Sequence, residues 1–412
     1  RNIPAMPSSP PTNPTDAPER RQPWRRRQGG RTMLLLLAAG SLTWQFGFAI
    51  YRGVWNNFLV EVQGVQSTQL GFIEGIREIP GFLVVVLVGL VASLAPSIVS
   101  GSACLLMALG LLLYPISGGF LQLVMITFLF SIGFHMLFPP QAVLVLHHAG
   151  EGQRGRWLGW MDSVGSAASL VGMFSVSILF AKLGFNGLFL LAAGAVTVAA
   201  IVLFSTPGPK RLSVGVSLLN IRREYATYYV MTALQGARRH MYMTFALFNL
   251  VKVHGIETLT IVLLQAVGYG TSIITRPLLG RLADRYGETK VLMWCYALTS
   301  LVFTGYAFIQ NHTALFILFT IDNILNFELV ITLYAYTVAR EGEVASILSG
   351  GSTIGHIPGV LVPILGGLLW KVAGPAATFL CGTTLCLAGF VYAVWLGRRI
   401  AARKAARATL AG

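Results

Sequence analysis

Charge is what this sequence has least of. Only 11% of its 412 residues are Asp, Glu, Lys or Arg, against 55% hydrophobic. Soluble domains carry about a quarter charged residues and do not repeat apolar runs of about 20. The scarcity excludes an ordinary soluble fold, and the recurring long runs place most of the chain in lipid. Cysteine is scarce too. Cys104, Cys295, Cys381 and Cys386 all fall inside apolar runs. Their spacing makes neither a zinc site nor a disulfide framework, so they read as small buried apolar groups. There is no GxxxxGK[ST] loop, which argues against a built-in ATPase. With no nucleophile–base pair and no metal-ligand spacing, the chain reads as a non-enzyme without cofactor or resident metal.

What charge there is leans one way, to a net +15. In a soluble protein this would suggest nucleic acid. Here the basic residues sit in tails and short connections, which marks membrane orientation instead, with no nucleic-acid partner. Apolar length predicts twelve spanning helices, near 32–59, 68–93, 97–116, 120–146, 156–181, 185–205, 224–251, 257–280, 288–309, 313–339, 344–369 and 374–397. Residues 1–31, rich in Pro, Ser, Thr and Arg, read as a disordered basic N-terminal tail. The run from Met33 is too long for the apolar core of a signal peptide. The longest connection, 206–223, is a linker between a first half at 32–205 and a second at 224–397, and 398–412 is a basic C-terminal tail. Connections holding Arg154, Arg156, Lys210, Arg211, Arg281, Arg285, Lys290 and Arg340 share one side with both tails. The other side keeps Lys182, Lys252 and Lys371. The asymmetry predicts a multi-pass protein of the inner (plasma) membrane with both termini cytoplasmic.

One connection is unusually charged. Gly280-Arg281-Leu282-Ala283-Asp284-Arg285-Tyr286-Gly287 falls in the inner loop between helices 8 and 9, and a shift of about 191 residues lays Gly89-Leu-Val-Ala-Ser on its start. Duplicated halves are a transporter device. The octapeptide resembles motif A of the major facilitator superfamily, G-x-L-A-D-R-x-G-R-K. The resemblance implies an all-α membrane protein of twelve transmembrane helices in two pseudo-symmetric six-helix bundles. It implies a secondary transporter working by alternating access on a small-molecule substrate. The matching stretch between helices 2 and 3, GLVASLAPS, has lost the motif, and Glu288 stands where a basic residue is usual. Helix 4 also lacks the arginine linked to proton coupling in the family, so protons are a candidate coupling ion only. Pro363-Ile-Leu-Gly366-Gly367 in helix 11 is similar to the tail of the antiporter motif, although that motif sits in helix 5. On physical grounds Gly280 admits a close neighbour, and Asp284 can face the positive end of a helix. Arg281 and Arg285 can pair with Asp162, making a latch that shuts the cytoplasmic side.

Ionisable groups at membrane depth are candidates for function. In a fold of this kind helices 1, 4, 7 and 10 line the central cavity. Helix 7 brings Arg238, Arg239 and His240, whose 100° steps cannot all face one way. Helix 10 brings Asp322 and Asn326 on one face and Glu328 on another. Helix 2 carries Glu74, Arg77 and Glu78 as a self-paired gate triad. Trp44, Gln45, Tyr51 and Arg52 of helix 1 complete the expected binding set. Arg238 or Arg239 would bind a carboxylate or phosphate; Asp322 or Glu74 would carry a coupling proton. The reading is a monomer exporting a small polar or anionic solute. Its rivals are a copper-like carrier using His135-Met136 and His240-Met241-Tyr242-Met243, and a non-transporting assembly factor. His356 reads as a core histidine, and the prolines Pro139-Pro140 are expected to break or bend helix 4.

Overall fold

The structure, a computed structural model, describes residues 30–149, 153–212, 221–325, 327–340 and 343–411. Among them all regular structure is helical, as lipid demands, because a helix satisfies its own backbone groups. The rods are α1 (Gly30–Asn57, running on through a π-type turn at Phe58–Val62), α2 (Ser67–Phe82 with Val84–Leu90), α3 (Pro96–Leu113) and α4 (Phe120–His148). Next come α5 (154–183) and α6 (185–204), joined at Gly184, and α7 (Ala226–Met241, a π-type turn at Tyr242–Ala246, then Leu247–Lys252). The rest are α8 (Thr258–Tyr286), α9 (Glu288–Phe308), α10 (His312–Ile324 and Glu328–Val338), α11 (344–373) and α12 (375–411), the last two joined at Gly374.

Eight described tracts are long and apolar enough to cross a membrane, and two of them, Arg156–Phe204 and Ser346–Ala402, contain the joints at Gly184 and Gly374. These glycines take φ of 58° and 81°, a region closed to most side chains, so each reverses the chain without a longer loop. Counted as rods, with α2 and α7, the set is consistent with twelve crossings. Rod ends follow local chemistry. Pro96 opens α3, where its missing N–H costs nothing. The side chain of Asn311 accepts the Ala314 N–H at 3.0 Å and caps α10.

Packing repeats between the halves. Small residues let α1 lie on α5 and α6, where Gly172 meets the Phe46 carbonyl and Gly47 the Ala192 carbonyl; α7 lies on α11 where Gly236 meets Gly355. Gly101 of α3 meets Phe204 of α6, and Gly389 of α12 meets Tyr296 of α9. Across the halves, α2 is pressed on α11, with Gly71 against the Pro363 carbonyl and Gly367 against the Ser67 carbonyl. No side chain fits between those backbones, which is how small residues bring membrane helices together. Large apolar side chains such as Ile178, Ile274, Leu365 and Val391 stay exposed on the outside, the surface that lipid covers.

Three expectations are corrected. The charged segment is no loop: Gly280 to Tyr286 form the last turns of α8, and only Gly287 separates α8 from α9. Helix 10 is interrupted between Ile324 and Glu328. The basic stretch 398–411 does not leave the helix, for α12 runs on to Ala411; its Ala- and Arg-rich sequence has high helix propensity. At Pro139-Pro140 the helix bends at most, since α4 is unbroken from Phe120 to His148. Residues 1–29 and 213–220 of the expected N-terminal tail and linker, Gly412 of the expected C-terminal tail, and Asn326 lie outside the described residues.

Candidate functional site

The rods enclose a cavity of about 500 Å³ lined from α1, α2, α4, α7, α8, α10 and α11. Its lining reaches Tyr228 and Thr232 near the start of α7, and Leu348 and Gly351 near the start of α11. It therefore extends from mid-bundle toward the end that carries the basic connections. The opposite end is closed by the α2–α11 contact and by Asn57, whose side chain donates to the Ile256 carbonyl at 3.2 Å. A smaller cavity of about 220 Å³ shares Arg52, Arg239, Met243 and Tyr269 with the first and adds Arg238, Arg276 and Asp322.

α7 separates its two arginines as its 100° steps require. Arg238 is 2% exposed and Asp322 is 1% exposed; Nη1 of the arginine bonds Oδ1 of the aspartate. Arg238 Nε donates to Gln235 Oε1 at 3.1 Å, and the guanidinium lies over the Phe327 ring at 5.2 Å. This cation is fully engaged. Arg239 faces the cavity and donates to both carboxylate oxygens of Glu328, at 3.0 and 3.2 Å. The α10 interruption puts Asp322 and Glu328 on separate pieces, so each meets its own arginine.

On α2, Arg77 bridges Glu74 at 2.6 Å and Glu78 at 3.3 Å. The triad is buried, and Trp55 Nε1 donates to Glu74 Oε1 at 3.0 Å. Glu78 Oε2 is also where three histidines converge. His356 Nδ1 lies 2.9 Å from it, and the Nε2 atoms of His135 and His240 lie 3.9 Å away. The sequence shows nothing of this meeting, because its members come from α2, α4, α7 and α11. His356, read from sequence as a core residue, lines the cavity. The i, i+4 link from Ser131 to His135 was the one local signal, since both sit in an otherwise apolar stretch of α4.

Arg52 differs from Arg77, Arg238 and Arg239. It lines both cavities, yet no carboxylate pairs with it among the described residues. Tyr51 is buried beside it and lines the larger cavity. Trp44 packs edge-on against Phe134 and Phe138 and lines neither cavity. Gln45 lies against Gly165 of α5. The latch residues are apart: Asp162, Arg281, Asp284 and Arg285 are exposed. No ion pair joins them among the described residues, and Arg285 lies over the Tyr286 ring at 5.2 Å. Gly280 is approached by Leu329 of α10, which a Cβ there would meet at 3.8 Å.

At the same end a second network ties α7 to α11. Arg222 Nη1 lies 2.5 Å from Glu343 Oε1, and the Tyr225 hydroxyl donates to Glu343 Oε2. That hydrogen bond, helped by the Arg222 charge, holds the Glu343 carboxyl below the usual carboxylate range.

Paired helical halves around a polar, arginine-bearing cavity define a polytopic carrier-like protein. The family model of the Major Facilitator Superfamily matches residues 37–357 and again 228–411, and the chain belongs to that family. An uncharacterized MFS-type transporter of Methanocaldococcus jannaschii is 23% identical over 349 residues, 80% of this chain and 86% of its own length. Among solved structures, the nucleoside transporter NupG matches with a TM-score of 0.72 at 13% identity, covering 87% of this chain and 98% of its own. A bacterial homologue of the lysosomal transporter Spinster, in an inward-facing and occupied conformation, matches at 0.70 and 11% identity, covering 90% and 97%. The peptide transporter POT in complex with sulfate matches at 0.70 and 16% identity, covering 90% and 94%. At these identities the structures show a shared fold. Family and neighbours together support a secondary transporter in a multi-pass membrane setting.

Proposed function

We propose that this chain moves a small anionic or polar organic solute across the inner (plasma) membrane by alternating access. It works as a monomer, its halves 32–205 and 224–397 rocking about the cavity, with both termini cytoplasmic. In that orientation the cavity extends toward the cytoplasm, and the separated latch of Asp162, Arg281, Asp284 and Arg285 belongs to this inward-open state. The observation that carries the solute class is Arg52. Arg238 and Arg239 have carboxylate partners, whereas Arg52 faces both cavities without one. A cation left open in a low-dielectric cavity attracts an anion strongly, and a guanidinium matches a carboxylate or phosphate bidentately. Arg239, exposed to the same space, is the second contact once Glu328 yields it.

The test is a thermal-shift screen of purified, chelator-treated protein against small carboxylates and phosphate esters. A ligand that raises the parent's midpoint should lose its shift in Arg52→Gln and be weakened in Arg239→Gln. Equal shifts in parent and both variants would overturn the anionic reading.

A further inference from the structure

The gathering of imidazoles on Glu78 is not explained by binding an organic anion. The carboxylate is already held by Arg77 on its other oxygen, 3.3 Å away. A single oxygen does not need three nitrogens around it for solvation. Two of them, on His135 and His240, stand 3.9 Å off, beyond hydrogen-bond range.

We propose that Glu78, His135 and His356, with His240 as fourth ligand, form a binding site for a divalent transition-metal ion of the zinc and cobalt class on the wall of the central cavity. One ligand atom from each of Glu78, His135 and His356 lies within 4.8 Å of the other two. Bonds of about 2.0–2.1 Å to a tetrahedral ion set ligand atoms roughly 3.4 Å apart. Among these three the spacings need closure by less than about 1.5 Å, within reach of side-chain rotation, while His240 Nε2, 3.5 Å from Arg239 Nη2, has to turn from that guanidinium to join them. His356 has only to carry its proton on Nε2, which frees Nδ1.

The surroundings are those of ligands. His135 Nδ1 is 3.0 Å from the Ser131 carbonyl oxygen. That bond keeps the proton on Nδ1 and aims the Nε2 lone pair at Glu78, the outer-shell arrangement typical of a metal-bound imidazole. Arg77 fixes Oε1 of Glu78 and leaves Oε2 to the histidines. With neutral imidazoles, the Glu74–Arg77–Glu78 triad keeps one uncompensated negative charge, which a bound cation balances. All four groups line the cavity, so an ion can enter from it. Three nitrogens and one oxygen suit zinc(II) or cobalt(II); copper(I) prefers sulfur, and no thioether is in the set. The ligands come from α2 and α4 of one half and α7 and α11 of the other, so a bound ion would join the halves. None of this depends on the identity of the organic solute.

The test is equilibrium binding of zinc(II) to tag-free, chelator-treated full-length protein in detergent, with cobalt(II) absorption as a second readout. Expected are one equivalent of zinc(II) per chain and the intense visible bands of four-coordinate cobalt(II). Glu78→Gln should abolish the bands. His135→Gln and His356→Gln should each weaken zinc binding at least tenfold. The control is His254→Gln with His312→Gln, a ring pair at the closed end of the bundle with centroids 5.4 Å apart, which should leave binding unchanged. His356 is less buried than His135, so its variant serves if His135→Gln fails to fold. The site is overturned if the parent binds no tighter than His356→Gln, or if the stoichiometric ion is lost with His254 and His312. Because organic anions are absent throughout, failure here leaves the Arg52 reading standing, and failure there leaves this one.

Discussion

At the scale of single residues, burial decides which ion pairs matter. Arg238 and Asp322 are both almost fully covered. Two charges out of water are tolerable only as a pair, so removing one strands the other. Arg238→Ala should therefore destabilise by about 3–5 kcal/mol, read as a lower unfolding midpoint. Arg238→Leu combined with Asp322→Leu should recover most of the loss. The neighbouring pair behaves differently. The Glu328 side chain is more than half exposed, and water screens its bond to Arg239, so Glu328→Gln should change stability by less than about 1 kcal/mol. Adjacent arginines on one helix thus divide the work, one holding the bundle together and one available to the cavity.

At the scale of elements, the start of α7 is tied to the start of α11 by Arg222, Tyr225 and Glu343. The Glu343 carboxyl is held below its ordinary value by the Tyr225 hydroxyl and the Arg222 charge. A depressed folded-state pKa gives stability that is present above the unfolded value, about 4.3, and is lost as pH falls through the lower folded one. Acidification below about pH 4.3 should therefore lower the parent's unfolding midpoint more than that of Tyr225→Phe, which starts without the bond. Parallel acid sensitivities would show that the tie contributes nothing. At the other end of α11 the device is different. Backbones touch at Gly71 and Gly367, and close packing of small residues holds the helices there in place of an ion pair.

At the scale of the whole molecule, closure is balanced between two ends. One is shut by packed backbone, while at the other Asp162, Arg281, Asp284 and Arg285 make no ion pair with one another among the described residues. If Asp284, Arg281 and Arg285 engage only when the basic end closes, neutralising them should favour the state seen here. For Asp284→Asn with Arg281→Gln, a loss of about 1–2 kcal/mol would shift the ratio of states roughly 5- to 30-fold. The readout is alkylation of a cysteine introduced as Ser352→Cys, a cavity-lining residue near the start of α11. It should label faster in the neutralised chain. Equal labelling would mean that these residues do not latch.

Much of this architecture was legible in residue order. Apolar length marked the rods, because a helix crossing lipid needs about 20 residues whatever its neighbours do. The 100° step separated Arg238 from Arg239, and the i, i+3, i+4 spacing paired Glu74, Arg77 and Glu78, both local properties of a helix. The charged segment after Gly280 pointed to the family, though as the end of α8 rather than a loop. What only the tertiary structure decided lies between helices. Asp322 claims Arg238, Arg52 is left open to the cavity, and His135, His240 and His356 meet at Glu78. These partners sit between 57 and 278 positions apart along the chain. No periodicity reaches that far; rods must pack before their charges choose one another.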